Sequence, residues 1–290
     1  KSDIPVLGVI PYFQDISIAE EDSIGIEMSG SRPLTFQVDI AVIRLPHIAN
    51  FDDFDPLAKE NGVRLRYVES NRDLGHPDLI ILPGSKTTVA DLDWLRESGL
   101  SDSIINLGRQ GAYIIGICGG YQMLGRYIND PEQVESTIPR QPGLELLPIT
   151  TTFLATKETH QVKGEVVSAR GLLAETKGVS FEGYEIHMGR TENDEEGTAF
   201  CLNERSGEPC DVSDGYLDSS GRVLGTYVHG LFGNQELRRA VLRRIAQTKG
   251  ESLDFNDEER EDEYDQLADH IRRNLDMDLV YAIAGLERKK

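Results

Sequence analysis

Cys118 stands in the run Gly116-Ile-Cys-Gly-Gly-Tyr-Gln122, where an apolar strand-like stretch at 113–117 passes into a helix-like stretch without a loop. A residue at so sharp a junction is forced into a strained backbone conformation and needs small neighbours. Gly116, Gly119 and Gly120 supply them. Two chemical effects follow. A helix N-terminus favours negative charge on the sulfur. The backbone N–H of Gly119 points toward whatever Cys118 attacks, so it can donate to the oxyanion of a tetrahedral intermediate. Cysteine is more often buried and inert, but here strand, glycines and helix agree on a reactive thiol.

An oxyanion hole normally has a second donor. Leu82-Pro-Gly-Ser-Lys-Thr-Thr88 closes another expected strand, and parallel α/β sheets place their sites beyond the carboxyl ends of strands. A backbone N–H of Gly84 or Ser85 is therefore the expected second donor. The same residues also read as a plain turn with Ser85 or Thr87 as N-cap, and both readings can hold at once. A phosphate-binding loop is rejected, because that motif requires Gly-x-x-x-x-Gly-Lys-Ser/Thr and here Ser85 precedes Lys86.

A thiol nucleophile needs a base that holds its proton and returns it to the leaving group. Among the histidines, His47, His76, His160 and His270 lie in turn-like or polar surroundings. His229 ends the apolar run 223–228 and precedes Gly230, a strand-end position suited to catalysis. His187 lies in Gly183-Tyr-Glu-Ile-His-Met-Gly-Arg-Thr191, also a strand followed by a turn. His229 ranks first and His187 second.

The elements that must hold these groups follow from hydrophobic patterning. Residues 38–45, 63–68, 79–82 and 113–117 read as strands, and 88–96 and 102–110 as helices. Such alternation predicts an α/β fold with a mostly parallel central sheet flanked by helices. The second half is richer in strands, expected at 149–154, 162–167, 183–187 and 223–228, and 234–248 has the period of an amphipathic helix. The acid-dense stretch 251–265 reads as a solvated linker, and 264–286 as one amphipathic helix. The expected organisation is a preceding domain's tail at 1–37, the main domain at 38–249, and linker plus helix at 250–290.

With 290 residues and a formal charge of −20, the surface repels phosphate backbones and anionic membranes, which argues against nucleic acid or membrane partners. No apolar run approaches the roughly 20 residues a spanning helix needs. Three cysteines (Cys118, Cys201, Cys210) fit no zinc pattern, so a reduced, cytoplasmic setting is expected. Cys201 and Cys210 flank a polar turn and read as free thiols, although a local disulfide is conceivable there. The opening residues do not form a signal peptide, and the chain reads as a piece of a longer protein.

Taken together, the Cys118 motif, Gly-Tyr-Glu-Ile-His187-Met-Gly-Arg-Thr, Tyr-Val-His229-Gly-Leu-Phe and the segment 42–56 resemble the cobyric acid synthase branch of the class I glutamine amidotransferases. The likeness runs from about residue 38 to 247, and the first residues resemble the tail of that branch's synthetase half. Relatives that amidate cobyrinic acid or lipid II share the cysteine and histidine motifs. The resemblance implies a flavodoxin-like fold in which Cys118 takes ammonia from glutamine and His229 is the general base. It implies Gly84, Ser85, Gly119 and Gln122 for oxyanion and glutamine binding, with Tyr184, Glu185 and His187 as secondary candidates. The ammonia would amidate carboxylates of a corrinoid in an ATP- and magnesium-dependent synthetase half. No P-loop occurs in these residues, so this chain is expected to bind no cofactor or metal itself.

One departure stands out. Class I relatives usually carry His-x-Glu, the glutamate orienting the imidazole, and here Leu231 occupies that place, a loss the resembling branch shares. The expectation is a histidine whose orienter is absent or comes from elsewhere. A base without a fixed orienter would be poorly poised until substrate binds.

Overall fold

The computed structural model describes residues 5–12, 35–192, 195–255 and 263–286. The chain forms two compact units: Gly30–Phe255, and Lys1–Ser29 together with Asn256–Lys290. In the larger unit the elements run β1 (Val38–Ile43), β2 (Ile48–Ala49), α1 (Asp55–Ala58), β3 (Val63–Val68), α2 (Asn71–Leu74), β4 (Leu79–Leu82), β5 (Gly84–Ser85), α3 (Thr88–Glu97), α4 (Leu100–Gln110), β6 (Tyr113–Ile117) and α5 (Gly119–Leu124). They continue with β7 (Tyr127–Asn129), β8 (Arg140–Pro142), β9 (Thr150–Val166), β10 (Ser180–Glu192), β11 (Thr198–Arg205), β12 (Glu208–Leu217), β13 (Val223–Thr226) and α6 (Gln235–Thr248).

One 11-stranded sheet carries the unit, in the order β3-β1-β4-β6-β13-β12-β11-β9-β7-β8, with β10 on β9. From β3 to β13 every pairing is parallel, and from β13 to β9 every pairing is antiparallel. The parallel part is built from β1, β4 and β6, which are buried along their whole length, as strands covered on both faces must be. The acidic residue inside β1 is accommodated by pairing: Asp39 accepts from Arg64 and Arg66 on β3. Burial alone would raise its carboxyl, but the two guanidiniums hold it below the usual range.

The β-rich second half is more continuous than its sequence suggests. The strands expected at 149–154 and 162–167 are the two ends of β9, and 183–187 is the middle of β10. The stretch between the two ends of β9 is polar and exposed, so its pairing with β10 leaves no apolar signature. The hairpin β11–β12 is a further pair beyond the expected strands; its buried Ala199, Phe200 and Leu202 lie on β11, and its polar end is exposed. Cys201 and Cys210 lie on its two arms as free thiols. The run 223–228 is a strand only to Thr226.

In the smaller unit, residues 264–286 form two helices rather than one, α7 (Glu263–Asn274) and α8 (Met277–Ala284). The break has a cause. Leu275 bridges to Gly8, and the Asp276 N–H donates to the Leu7 carbonyl at 2.7 Å. The Asp276 side chain then caps α8 by accepting the Leu279 N–H. The acidic residues 20–22 and the middle of the acid-dense linker, 256–262, lie outside the described residues. No helix among the described residues is long and apolar enough to cross a membrane.

Candidate active site

β6 delivers Cys118 to the carboxyl edge of the parallel strands, and α5 begins at the next residue. The backbone at Cys118 has φ 52 and ψ −109, which a side-chain-bearing residue rarely adopts and which costs about 1–3 kcal/mol. The surroundings hold it there: its N–H donates to the Thr226 carbonyl at 2.8 Å on neighbouring β13. Gly120 explains the closeness of α5 to the sheet, since a Cβ at that position would stand 2.0 Å from the Leu82 carbonyl oxygen. The Cys118 Sγ lies 3.3 Å from the Ile186 carbonyl oxygen, to which the thiol can donate.

The two oxyanion candidates separate once the loop is seen. Gly84 and Ser85 pair antiparallel with Ala49 and Ile48, and Lys86 donates to the His47 carbonyl. Hydrogen-bonded pairs alternate along such a ladder, so the Ser85 N–H points away from it. A Cβ on Gly119 would stand only 3.0 Å from the Ser85 nitrogen, so this loop and the start of α5 are in close contact. Gly84 has another role: a side chain there would meet His229 Cε1 at 3.0 Å. The Ser85 hydroxyl donates to Asp91 and accepts the Thr87 N–H.

His229 lies just beyond β13 and is 1% exposed. Two backbone hydrogen bonds with Tyr184 on β10 place it, and the Tyr184 ring stacks on the imidazole at 5.1 Å and 14°. Its Nδ1 lies 2.6 Å from Asp53 Oδ2 and 3.0 Å from the Asn50 side-chain amide. The second Asp53 oxygen accepts the Gly230 N–H at 2.7 Å. The imidazole is therefore not left without an orienter; the orienter comes from the turn Phe51–Phe54. Burial by itself would lower the His229 pKa, but Asp53 and the Cys118 sulfur outweigh it and raise it to about 10. Its Nε2 is buried and, among the described residues, has only the nearby Cys118 sulfur to interact with, at a geometry too loose for a full hydrogen bond, the state expected of a nitrogen kept for a reacting group.

Sequence reasoning missed Asp53 and Asn50. The signal was an acid-rich turn, Asn50-Phe-Asp-Asp-Phe-Asp-Pro56, a few residues beyond the buried strand β1. Of its acids, Asp53 is the one that is buried.

The other candidates line the site in different ways. His187 belongs to the same cavity but is engaged elsewhere. Its Nδ1 donates to the Gly189 carbonyl at 2.8 Å, and its ring stacks on Tyr227 at 3.8 Å. Nε2 lies 3.6 Å from Glu185. Glu185 is buried and paired with Arg205 at 2.9 Å. Burial would raise its carboxyl, but His187 and Arg205 hold it below the usual range. Gln122 spends both ends of its amide on the protein, accepting from Thr88 and donating to the Tyr227 hydroxyl. Cys118, His229, Ser85, Gln122 and His187 surround one cavity of about 360 Å³, within the range of small-molecule sites.

The arrangement can perform acyl transfer from an amide: a thiol at a strand–helix turn, a histidine oriented by a buried carboxylate, a backbone N–H at Ser85 free of the β2–β5 ladder, and a cavity for the acyl group. A family model described as the CobB/CobQ-like glutamine amidotransferase domain matches residues 39–237. The chain is 45% identical over 287 residues to a cobyric acid synthase of Dehalococcoides mccartyi, covering 98% of this chain and 56% of that protein. It is 47% identical over 290 residues to a cobyric acid synthase of Moorella thermoacetica, with the same 98% and 56% coverage. The chain thus spans a little over half the length of these relatives. The solved structure of PurLQS from Thermotoga maritima matches with a TM-score of 0.53 and 20% identity, over 73% of this chain and 99% of that one. That likeness concerns the fold alone.

Proposed function

The chain belongs to the CobB/CobQ-like glutamine amidotransferase family, and from that premise we propose that it is the ammonia-producing part of a longer corrinoid-amidating ligase, a cobyric acid synthase. The observation that carries the catalytic reading is the buried His229 Nε2, left for Cys118 in the same cavity, with Asp53 on the opposite nitrogen.

In this reading the Cys118 thiolate attacks the side-chain amide carbon of glutamine. The Ser85 and Gly119 N–H groups receive the oxyanion. His229 gives its Nε2 proton to the departing nitrogen as the carbon–nitrogen bond breaks, leaving ammonia and a glutamyl thioester. A water then gives a proton back to Nε2 and displaces the sulfur, releasing glutamate. Asp53 holds the ring in one orientation and stabilises its charged form throughout. All three cysteines are free, in keeping with a reducing, cytoplasmic compartment.

The ammonia would serve carboxylate amidation in a part of the protein that these residues do not include, where ATP and magnesium would act. In the Gly84–Thr88 loop the Ser85 hydroxyl donates to Asp91, and the Lys86 and Thr87 amides donate to the His47 carbonyl and the Ser85 hydroxyl, which leaves the Ser85 amide for the oxyanion. The relatives that amidate cobyrinic acid or lipid II share the motifs, and the names of the curated relatives favour cobyric acid. The test is incubation with the glutamine analogue diazo-oxo-norleucine, read by intact mass and peptide mapping. One equivalent on Cys118, lost in Cys118→Ser, is expected. Absence of labelling removes the reading. In the full-length ligase, Cys118→Ser should end glutamine-dependent synthesis and spare ammonia-dependent synthesis.

A further inference from the structure

The smaller unit has secondary structure but no core: none of residues 5–12 and 265–286 is buried. Its two segments are tied through the backbone. Besides the Gly8–Leu275 bridge and the Asp276 N–H on the Leu7 carbonyl, the His270 ring lies 3.0 Å from the Pro11 carbonyl oxygen. The approach is close, since a Cβ on Gly8 would stand 2.1 Å from the Asn274 carbonyl oxygen. The apolar side chains gain little from this pairing. Val6, Val9 and Ile10 are exposed on the first segment, and Ile283 and Leu286 at the end of the second, with Val9 at 79% and Leu286 at 60%. Helix α8, Met-Asp-Leu-Val-Tyr-Ala-Ile-Ala, has one charged residue in eight and no buried residue. So short a helix is marginal in water by itself, and a helix apolar around most of its circumference is normally buried. A further surface must cover this face.

The comparisons say where that surface belongs. The amidotransferase family model leaves both segments out, whereas the cobyric acid synthases match across them and continue beyond the matched part. We propose that residues 5–12, α7 and α8 dock through Val6, Val9, Ile10, Ile283 and Leu286 onto an apolar surface of the synthetase half. The amidotransferase unit is then held to that half from both of its ends. A unit joined at one end is free to move against its neighbour, and a second, apolar attachment restrains it. This rests on the reading of the chain as part of a longer corrinoid-amidating ligase.

The test compares backbone hydrogen exchange of α8 in the 290-residue chain and in the full-length ligase. In the ligase the α8 amides should exchange about tenfold or more slowly than in the chain. Ile283→Asp should return them to the chain's rate, and Ile283→Leu should keep the protection. Val9→Asp, on the other segment, should act as Ile283→Asp does. These variants lie outside the cavity and should leave diazo-oxo-norleucine labelling of Cys118 within about twofold of wild type. Equal exchange in chain and ligase, or protection that survives both aspartates, overturns the docking. Protection that appears in the chain alone and rises with its concentration also overturns it, by making a second copy the occupant. A chain whose Cys118 is not labelled overturns the glutaminase reading instead, and the exchange comparison is unaffected by it.

Discussion

Asp53 Oδ2 lies 2.6 Å from His229 Nδ1, although the two residues are 176 positions apart in the chain. The same carboxylate grips the backbone beside the ring through the Gly230 N–H. Ring orientation and the path of the chain past β13 are thus set by one buried group. Leu231 occupies the place where a His-x-Glu pattern would put its carboxylate, and Asp53 supplies that function from the other end of the domain. The contact is made without substrate, so His229 is oriented by residues of its own unit.

Asp53→Asn should keep the fold and lower kcat for glutamine hydrolysis by about a hundredfold or more, the scale of general acid–base catalysis. KM should change little, because Asp53 faces the ring and not the cavity. Steady-state ammonia release checks this. An Asn variant with wild-type kcat would remove Asp53 from the mechanism.

The His229 shift makes a claim about pH. Its pKa rises from 6.5 to about 10 on folding. A raised value in the folded state means that the native form binds the proton more tightly. The stabilisation is therefore full below pH 6.5 and is lost as pH rises toward about 10. Thermal melts of wild type and Asp53→Asn across this range should converge at the alkaline end. The alkaline limb of the glutaminase pH profile should fall near pH 10 in wild type and move to lower pH in the variant. A limb that does not move would show that another group titrates there.

Much of this site was legible because its signals are local. Tyr113–Ile117 is apolar on both faces and the glycines beside Cys118 have one steric reason, so the strand, the turn and the place of Cys118 at their junction could be read from a dozen adjacent residues. His229 was legible for the same reason. Asp53 was not, because its meaning lies in a contact across the sheet. Nothing in an acid-rich turn tells which acid folds inward. The exposed middle of β9 was also invisible, since its polar residues are held in a strand by their pairing with β10 rather than by any apolar face. The break at Leu275 depends on a bridge to Gly8, again a long-range contact with no local mark.

Gly84 and Gly120 should respond differently to alanine. At Gly120 the added methyl would stand 2.0 Å from a backbone oxygen of β4. Neither partner can move without shifting the elbow, so Gly120→Ala should cost about 1–3 kcal/mol or more in denaturant melts. At Gly84 the nearest atom is His229 Cε1 at 3.0 Å. Gly84→Ala should melt nearly as wild type yet lose most glutaminase activity, because the imidazole must yield. Full activity in Gly84→Ala would show that the ring tolerates displacement.

Asp91 is fully buried beneath the oxyanion loop. It accepts from the Ser85 hydroxyl at 2.6 Å and lies 2.8 Å from His47 Nδ1. It touches no part of the cavity, so it acts by positioning. Its hold on Ser85 fixes the direction of the Ser85 N–H, and an oxyanion donor is effective only when it is aimed before charge develops. Removing a whole donor typically costs about a hundredfold or more in kcat, so loosening one should cost about tenfold. Asp91→Asn can still accept from Ser85 and should retain most activity. Asp91→Ala leaves that hydroxyl unpaired and should lower kcat about tenfold with KM nearly constant. A purely structural role for Asp91 predicts that both variants lose stability and activity together. Measuring kcat, KM and the melting midpoint for the pair separates the two.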